Sequence, residues 1–156
     1  MSIPISTVPA VRSYLISAIT AQVNAAGLSE PGCEVYDSAP DHETTNDVIA
    51  VCGARRQTRP LALVGSGGQF WLDESYQVEV MIDCFQAGAD GAMEAVNARA
   101  YQLLALVETA VRQDPSLAGN VLEARPQESE STPSWDDAHM GARCVIATQI
   151  QVYTTL

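Results

Sequence analysis

With 156 residues, 47% of them hydrophobic, and a mean hydropathy of +0.03, the chain has the length for one core and the composition of a water-soluble domain spanning 1–156. No run approaches the ~20 apolar residues of a membrane helix. The start Met1-Ser2-Ile3-Pro4-Ile5 lacks the basic flank and cleavage site of a secretory signal, so the expected place of synthesis and residence is the cytoplasm. Eight basic residues, all arginine, stand against 19 acidic ones for a net charge of -11, which repels phosphate at long range and argues against tight general binding of nucleic acid.

Ser6-Thr7 before Val8-Pro9 reads as a helix start, with a hydroxyl cap and a proline in the first turn. Val11, Leu15, Ala18, Ile19, Val23 and Ala26 continue an apolar stripe, and Gly27 offers a left-handed stop. A short extended piece follows at 33–36, then polar loop, then the apolar run Asp47-Val48-Ile49-Ala50-Val51-Cys52-Gly53, expected to be an inner strand covered on both faces. Residues 54–74 form an irregular arm, either a hairpin with Gly65-Ser66-Gly67-Gly68 at its tip or an ordered loop with some strand in it.

The clearest pattern lies in 75–112. Tyr76, Val78, Val80, Ile82 and Cys84 alternate with polar residues, the period of a strand with one buried face. After a turn, Asp90 is placed to cap a helix in which Met93, Val96, Ala100, Leu103, Leu104, Val107 and Val111 form one stripe. Asp114-Pro115 ends that helix, because proline disfavours the α conformation of the residue before it. A short helical turn leads into 121–125, and 126–140 reads as an acidic loop rich in serine and proline. Cys144, Ile146, Ile150 and Val152 alternate in a closing strand, expected to pair with 75–85. These elements predict a single α+β domain: a mainly antiparallel sheet with two longer helices packed on one face.

Catalytic and metal-binding chemistry has little to stand on. His42 and His139 each sit in polar loop, and Gly65-Ser66-Gly67-Gly68 fits neither a nucleophile elbow nor a lysine-bearing phosphate loop. Asp136, Asp137 and His139 share one short loop without a spaced second group, so no metal is expected, and no cofactor either. Cys33, Cys52, Cys84 and Cys144 are widely spaced and read as reduced core residues. Arg55, Arg56, Arg59, Phe70 and Trp71 are the types enriched at protein interfaces. They form either a contact for the acidic stretch 128–137 of a neighbouring copy, or a solvated hairpin with both aromatic rings folded into their own core.

The order of elements, with Asp114-Pro115-Ser116-Leu117-Ala118-Gly119 after the long helix and the alternating final strand, resembles the tail terminator proteins of long-tailed bacteriophages. The resemblance implies a non-enzymatic virion protein at the tail–neck junction that assembles as a hexameric ring. Such a ring caps the tail tube protein, meets the head–neck connector protein and lets genomic DNA pass without specific binding. It would give Glu128, Glu130, Asp136 and Asp137 a role as an acidic lumen, and make 54–74 a reaching element. The alternatives are another neck component, such as a head–tail connector or tail completion protein, or a small-molecule-binding accessory domain with a deep polar pocket.

Overall fold

The structure, a computed structural model, describes residues 5–29, 32–41, 46–60, 72–88, 90–135 and 140–156. The described chain runs α1 (Val8–Ala25), β1 (Cys33–Tyr36), β2 (Asp47–Pro60), β3 (Leu72–Ala87), α2 (Ala92–Gln113), β4 (Glu123–Trp135) and β5 (Gly141–Thr155). The strands form one five-stranded sheet in the order β1-β2-β3-β5-β4. Only β1 and β2 pair in parallel, and every other ladder is antiparallel. The fold is α+β, with both helices on one face of a mainly antiparallel sheet.

Alternation explains which face the helices cover. In β3 the even positions Tyr76, Val78, Val80, Ile82 and Cys84 are buried, and in β5 their counterparts Cys144, Ile146, Ile150 and Val152 are buried too. The register pairs Tyr76 with Val152 and Ile82 with Ile146, so the two stripes stack side by side along the predicted β3–β5 ladder. Onto them α2 lays Val96, Ala100, Leu103, Leu104, Val107 and Val111, while α1 lies beside α2 and contributes Val11, Leu15, Ile19 and Val23. Each fully buried aliphatic side chain contributes about 1.5–3 kcal/mol. Ala26, expected in the α1 stripe, is exposed because the helix has already ended.

The stop after α1 follows its sequence closely. Gly27 adopts φ +70°, its N–H bonds to the Asn24 carbonyl and the Leu28 N–H bonds to the Val23 carbonyl, satisfying two of the last carbonyls. The start of α2 differs from expectation. Asp90 makes no cap, and the helix instead begins after Gly91 in the left-handed region at φ +72°, with Ala95 N–H bonded to the Gly91 carbonyl. The turn after α2 is not a right-handed helical turn either. Leu117, Ala118 and Gly119 all have positive φ, a conformation held by the Asp114 carboxylate, which accepts bonds from the Ser116 hydroxyl and the Ser116 and Ala118 N–H groups. Leu117, fully buried, anchors that turn in the core.

One larger expectation is corrected. The acidic stretch from 126 is no loop through residue 135: β4 extends across it, paired with β5 from Glu123↔Tyr153 to Trp135↔Ala142. Serine, glutamate and proline are poor strand formers, but at a sheet edge the ladder to one neighbour suffices and proline is tolerated. The described parts of the 54–74 arm are regular strand as well. There β2 continues to Pro60 antiparallel to β3, the pairing of the hairpin alternative, and β5 follows β3 down to Asp73↔Thr155.

Candidate functional site

Pleating puts the odd positions of β3 and β5 on the face away from the helices. Its centre is a patch of amides. The Gln77 amide reaches over β5 to Gln127 of β4 at 3.1 Å, and Gln151, only 8% exposed, donates to the Tyr76 carbonyl at 3.1 Å. Around the amides lie charges: Glu79 on β3, the ion pair Asp83–Arg143, and Arg125 stacked on the Tyr153 ring at 5.8 Å. At the β2 end the face forms a polar trough of about 630 Å³ lined by Arg55, Arg59, Asp73, Gln77, Gln151 and Tyr153. Leu122 and Tyr153 add apolar surface to it, so its lining is mixed.

The three arginines predicted to act together are divided by the pleat. Past the irregularity at Val51/Ala54, Arg55 pairs in register with Gln77 and Arg59 with Asp73, so both stand on the open face. Arg56 pairs with Tyr76 and points to the other side, where its guanidinium binds the Glu74 carboxylate. That carboxylate is fully buried and also accepts bonds from the Ser6 hydroxyl at 2.5 Å, the Thr7 N–H at 3.1 Å and the Thr7 hydroxyl at 2.9 Å. The expected hydroxyl cap of α1 is split between two side chains: Thr7 caps no helix N–H and instead ties the start of α1 to β3, while the Ser6 hydroxyl accepts a 3.3 Å bond from the Val8 N–H. Desolvation works to raise the Glu74 pKa, but the bonds from Ser6, Thr7 and Arg56 outweigh it and hold the carboxyl below its ordinary value.

Arg56 is thus a structural residue, whereas Arg55 and Arg59 have no ion-pair partner among the described residues. Glu128 and Glu130, predicted as an acidic surface, stand on β4 opposite Gln149 and Ala147, on the open face and equally without an ionic partner. The remaining arginines are engaged. Arg99 binds Asp47 through two bonds and also the Phe85 carbonyl, Arg12 binds the Val51 and Asp37 carbonyls, and Arg112 pairs with Glu108. Phe70, Trp71, Asp136, Asp137, His42, His139 and the glycine run at 65–68 lie outside the described residues.

Two long stretches of exposed strand differ in charge: β2 beyond β1 carries Arg55, Arg56 and Arg59, and β4 carries Glu123, Glu128 and Glu130 beside Arg125. Strand β1 pairs only with 47–50 of β2, so the outer side of β2 from 53 to 60 has no neighbouring strand among the described residues. At the far edge, β4 has no strand beyond it among the described residues. An unpaired edge exposes a row of N–H and C=O groups that can add another strand.

Sequence reasoning missed Glu74 because it began the strand at Ser75. Its signal is visible in hindsight as a charged residue on the even, buried positions of an alternating strand. The row Gln77, Gln149 and Gln151 had no comparable signal, since glutamine on an outward position is ordinary.

Nucleophilic chemistry finds no prepared group among the thiols. Burial pushes the Cys33 thiol up to about 12 and raises Cys52, Cys84 and Cys144 as well, so each is protonated at neutral pH and packs as a small apolar side chain. Among the described residues no group of three or more histidine, cysteine, aspartate or glutamate side chains is placed to hold a metal, and no helix is long and apolar enough to cross a membrane.

No family model and no curated protein matches the chain. Among solved structures, a chain from the virion of a native gene transfer agent particle aligns over 92% of this chain and 98% of its own, at 11% identity and a TM-score of 0.35. At that score the superposition carries no inference about shared function.

Proposed function

We propose that the protein is a structural assembly subunit of a phage-type virion, a ring-forming tail terminator that caps the tail tube and joins it to the neck. The observation that carries this reading is the two stretches of exposed strand without a neighbour on one side among the described residues, arginine-bearing on β2 and glutamate-bearing on β4. Heterologous contacts between unlike edges propagate from copy to copy and close when the rotation allows it. The order of helices and strands that resembles the terminator family supports the same reading and supplies the hexameric count.

The open face suits passage of DNA. It carries Glu79, Glu128 and Glu130 beside Arg143, held by Asp83, and Arg125, stacked on Tyr153, so it offers a duplex few free cations once a neighbouring copy covers Arg55 and Arg59. The account requires no catalysis and no cofactor. It predicts that the purified protein, imaged with tail tube protein, sits as an open ring on tube ends and fixes their length. Tubes that grow to the same length and bear no cap in its presence would contradict the terminator role. Rings that bind neck components and ignore tubes would instead identify a connector or completion protein.

A further inference from the structure

We infer that copies of this chain join edge to edge, the outer side of β2 at 55–59 on one copy against the outer side of β4 at 128–132 on the next, in the register that sets Arg59 opposite Glu128 and Arg55 diagonal to Glu130. The inference rests on the assembly reading above and adds to it the contact, its partner and its direction.

Three observations converge on it. First, both stretches are exposed strand with no neighbour on one side among the described residues. Second, their charges are complementary and unspent: the two arginines lack an ionic partner and so do the two glutamates, although every other arginine of the described chain has an ion pair, a carbonyl or an aromatic ring to bind. Third, the prolines bound the available main chain. Pro126 and Pro133 lack N–H groups and bracket 127–132 on β4, while Pro60 ends β2, so 128–132 and 55–59 both lie within the free main chain and their pleats match.

The direction follows from the sheet. β2 runs antiparallel to β3, β3 to β5 and β5 to β4, so β2 and β4 point opposite ways within one copy. Adding the next copy by rotation about an axis along the strands sets its β2 antiparallel to the first copy's β4. The new ladder then has the same hydrogen-bond pattern as those within the domain. It also keeps the open faces of successive copies on the same side, so Arg55 and Arg59 meet Glu128 and Glu130 on that face. Strand addition of this kind takes affinity from main-chain bonds and register from the side chains beside them.

The test uses two variants of the whole chain. One carries Arg55→Glu and Arg59→Glu, the other Glu128→Arg and Glu130→Arg, and sedimentation velocity reads their assembly beside the unaltered protein. Each variant alone places like charges across the contact, and its assembly should weaken by about 100-fold or more. Mixed in equal amounts, the two should assemble again as alternating copies, because each supplies the edge the other needs; the rings should then hold equal numbers of both. Unchanged thermal unfolding of the separate variants shows that folding is intact. As a measure free of mutation, assembly of the unaltered protein should weaken as salt rises from low to high concentration. Variants that assemble as well as the unaltered protein, or a mixture that stays dissociated while the unaltered protein forms rings, would overturn the edge contact and leave the ring reading standing. An unaltered protein that remains a monomer with and without tube protein would overturn both.

Discussion

Strand β2 shows two environments along one continuous element. Its first half, Asp47 to Val51, is buried on both faces, with Ile49 and Val51 against the helices and β1 alongside. Its second half is exposed from Gly53 to Pro60, although the same partner strand β3 runs beside it throughout. The two halves meet at Val51/Ala54, where the pairing slips and the pleat is reset. The contrast teaches that backbone pairing to β3 does not decide burial here. Neighbours on the remaining sides do, and the sequence changes from valine and isoleucine to arginine, glutamine and threonine where the chain's own described neighbours end.

Breaking the buried half should have the largest effect. Ile49→Ala leaves a cavity between β2 and the helices and should cost about 3–4 kcal/mol in urea unfolding. Gln57→Ala, on the exposed half, should change the same measurement by less than about 0.5 kcal/mol. Equal effects would erase the distinction between the halves.

Glu74→Ala comes next, because Arg56 and the start of α1 both depend on that buried carboxylate; the expected loss is about 3 kcal/mol. The pH dependence sharpens this point. The folded Glu74 pKa lies below its ordinary value of 4.5, so its stabilisation is present above that pH and is lost as pH falls through the lower, folded value. Urea titrations between neutral pH and acid should therefore show a fall in stability below about pH 4.5 that is shallower in Glu74→Gln.

Smaller effects belong to the turn after α2 and to the exposed edge. Ala118→Gly removes a Cβ from a residue at φ +60° and should raise stability by about 0.5 kcal/mol, read as a small gain in thermal midpoint. Smallest of all, Arg55→Glu with Arg59→Glu should leave the stability of the isolated fold within about 0.5 kcal/mol, whatever it does to assembly. A large loss would mean that these arginines support the fold and are not held for a neighbour.

Much of this was legible in the sequence, for physical reasons that differ by region. The alternation of β3 and β5 and the stripe of α2 record one buried face each, so elements, partners and core followed from periodicity. The Schellman-type stop at Gly27 was legible because few residues besides glycine accept its backbone angle. β4 was not, since an edge strand open on both faces beyond Ala124 carries no apolar period and owes its conformation to β5. The division of Arg56 from Arg55 and Arg59 was hidden for a related reason: it depends on the slip at Val51/Ala54, which no local pattern announces. The pairing of Glu74 with residues of the α1 start joins parts of the chain nearly seventy residues apart, a distance at which composition says nothing.

The central claim is that unlike edges of this sheet join copy to copy into closed rings, and native mass measurement of the purified protein across concentration tests it most directly. The account predicts a monomer at low concentration that passes into one dominant closed oligomer, six copies by the resemblance to tail terminators, with the transition moved upward by salt. A single monomeric mass at every concentration and in the presence of tail tube protein would contradict it.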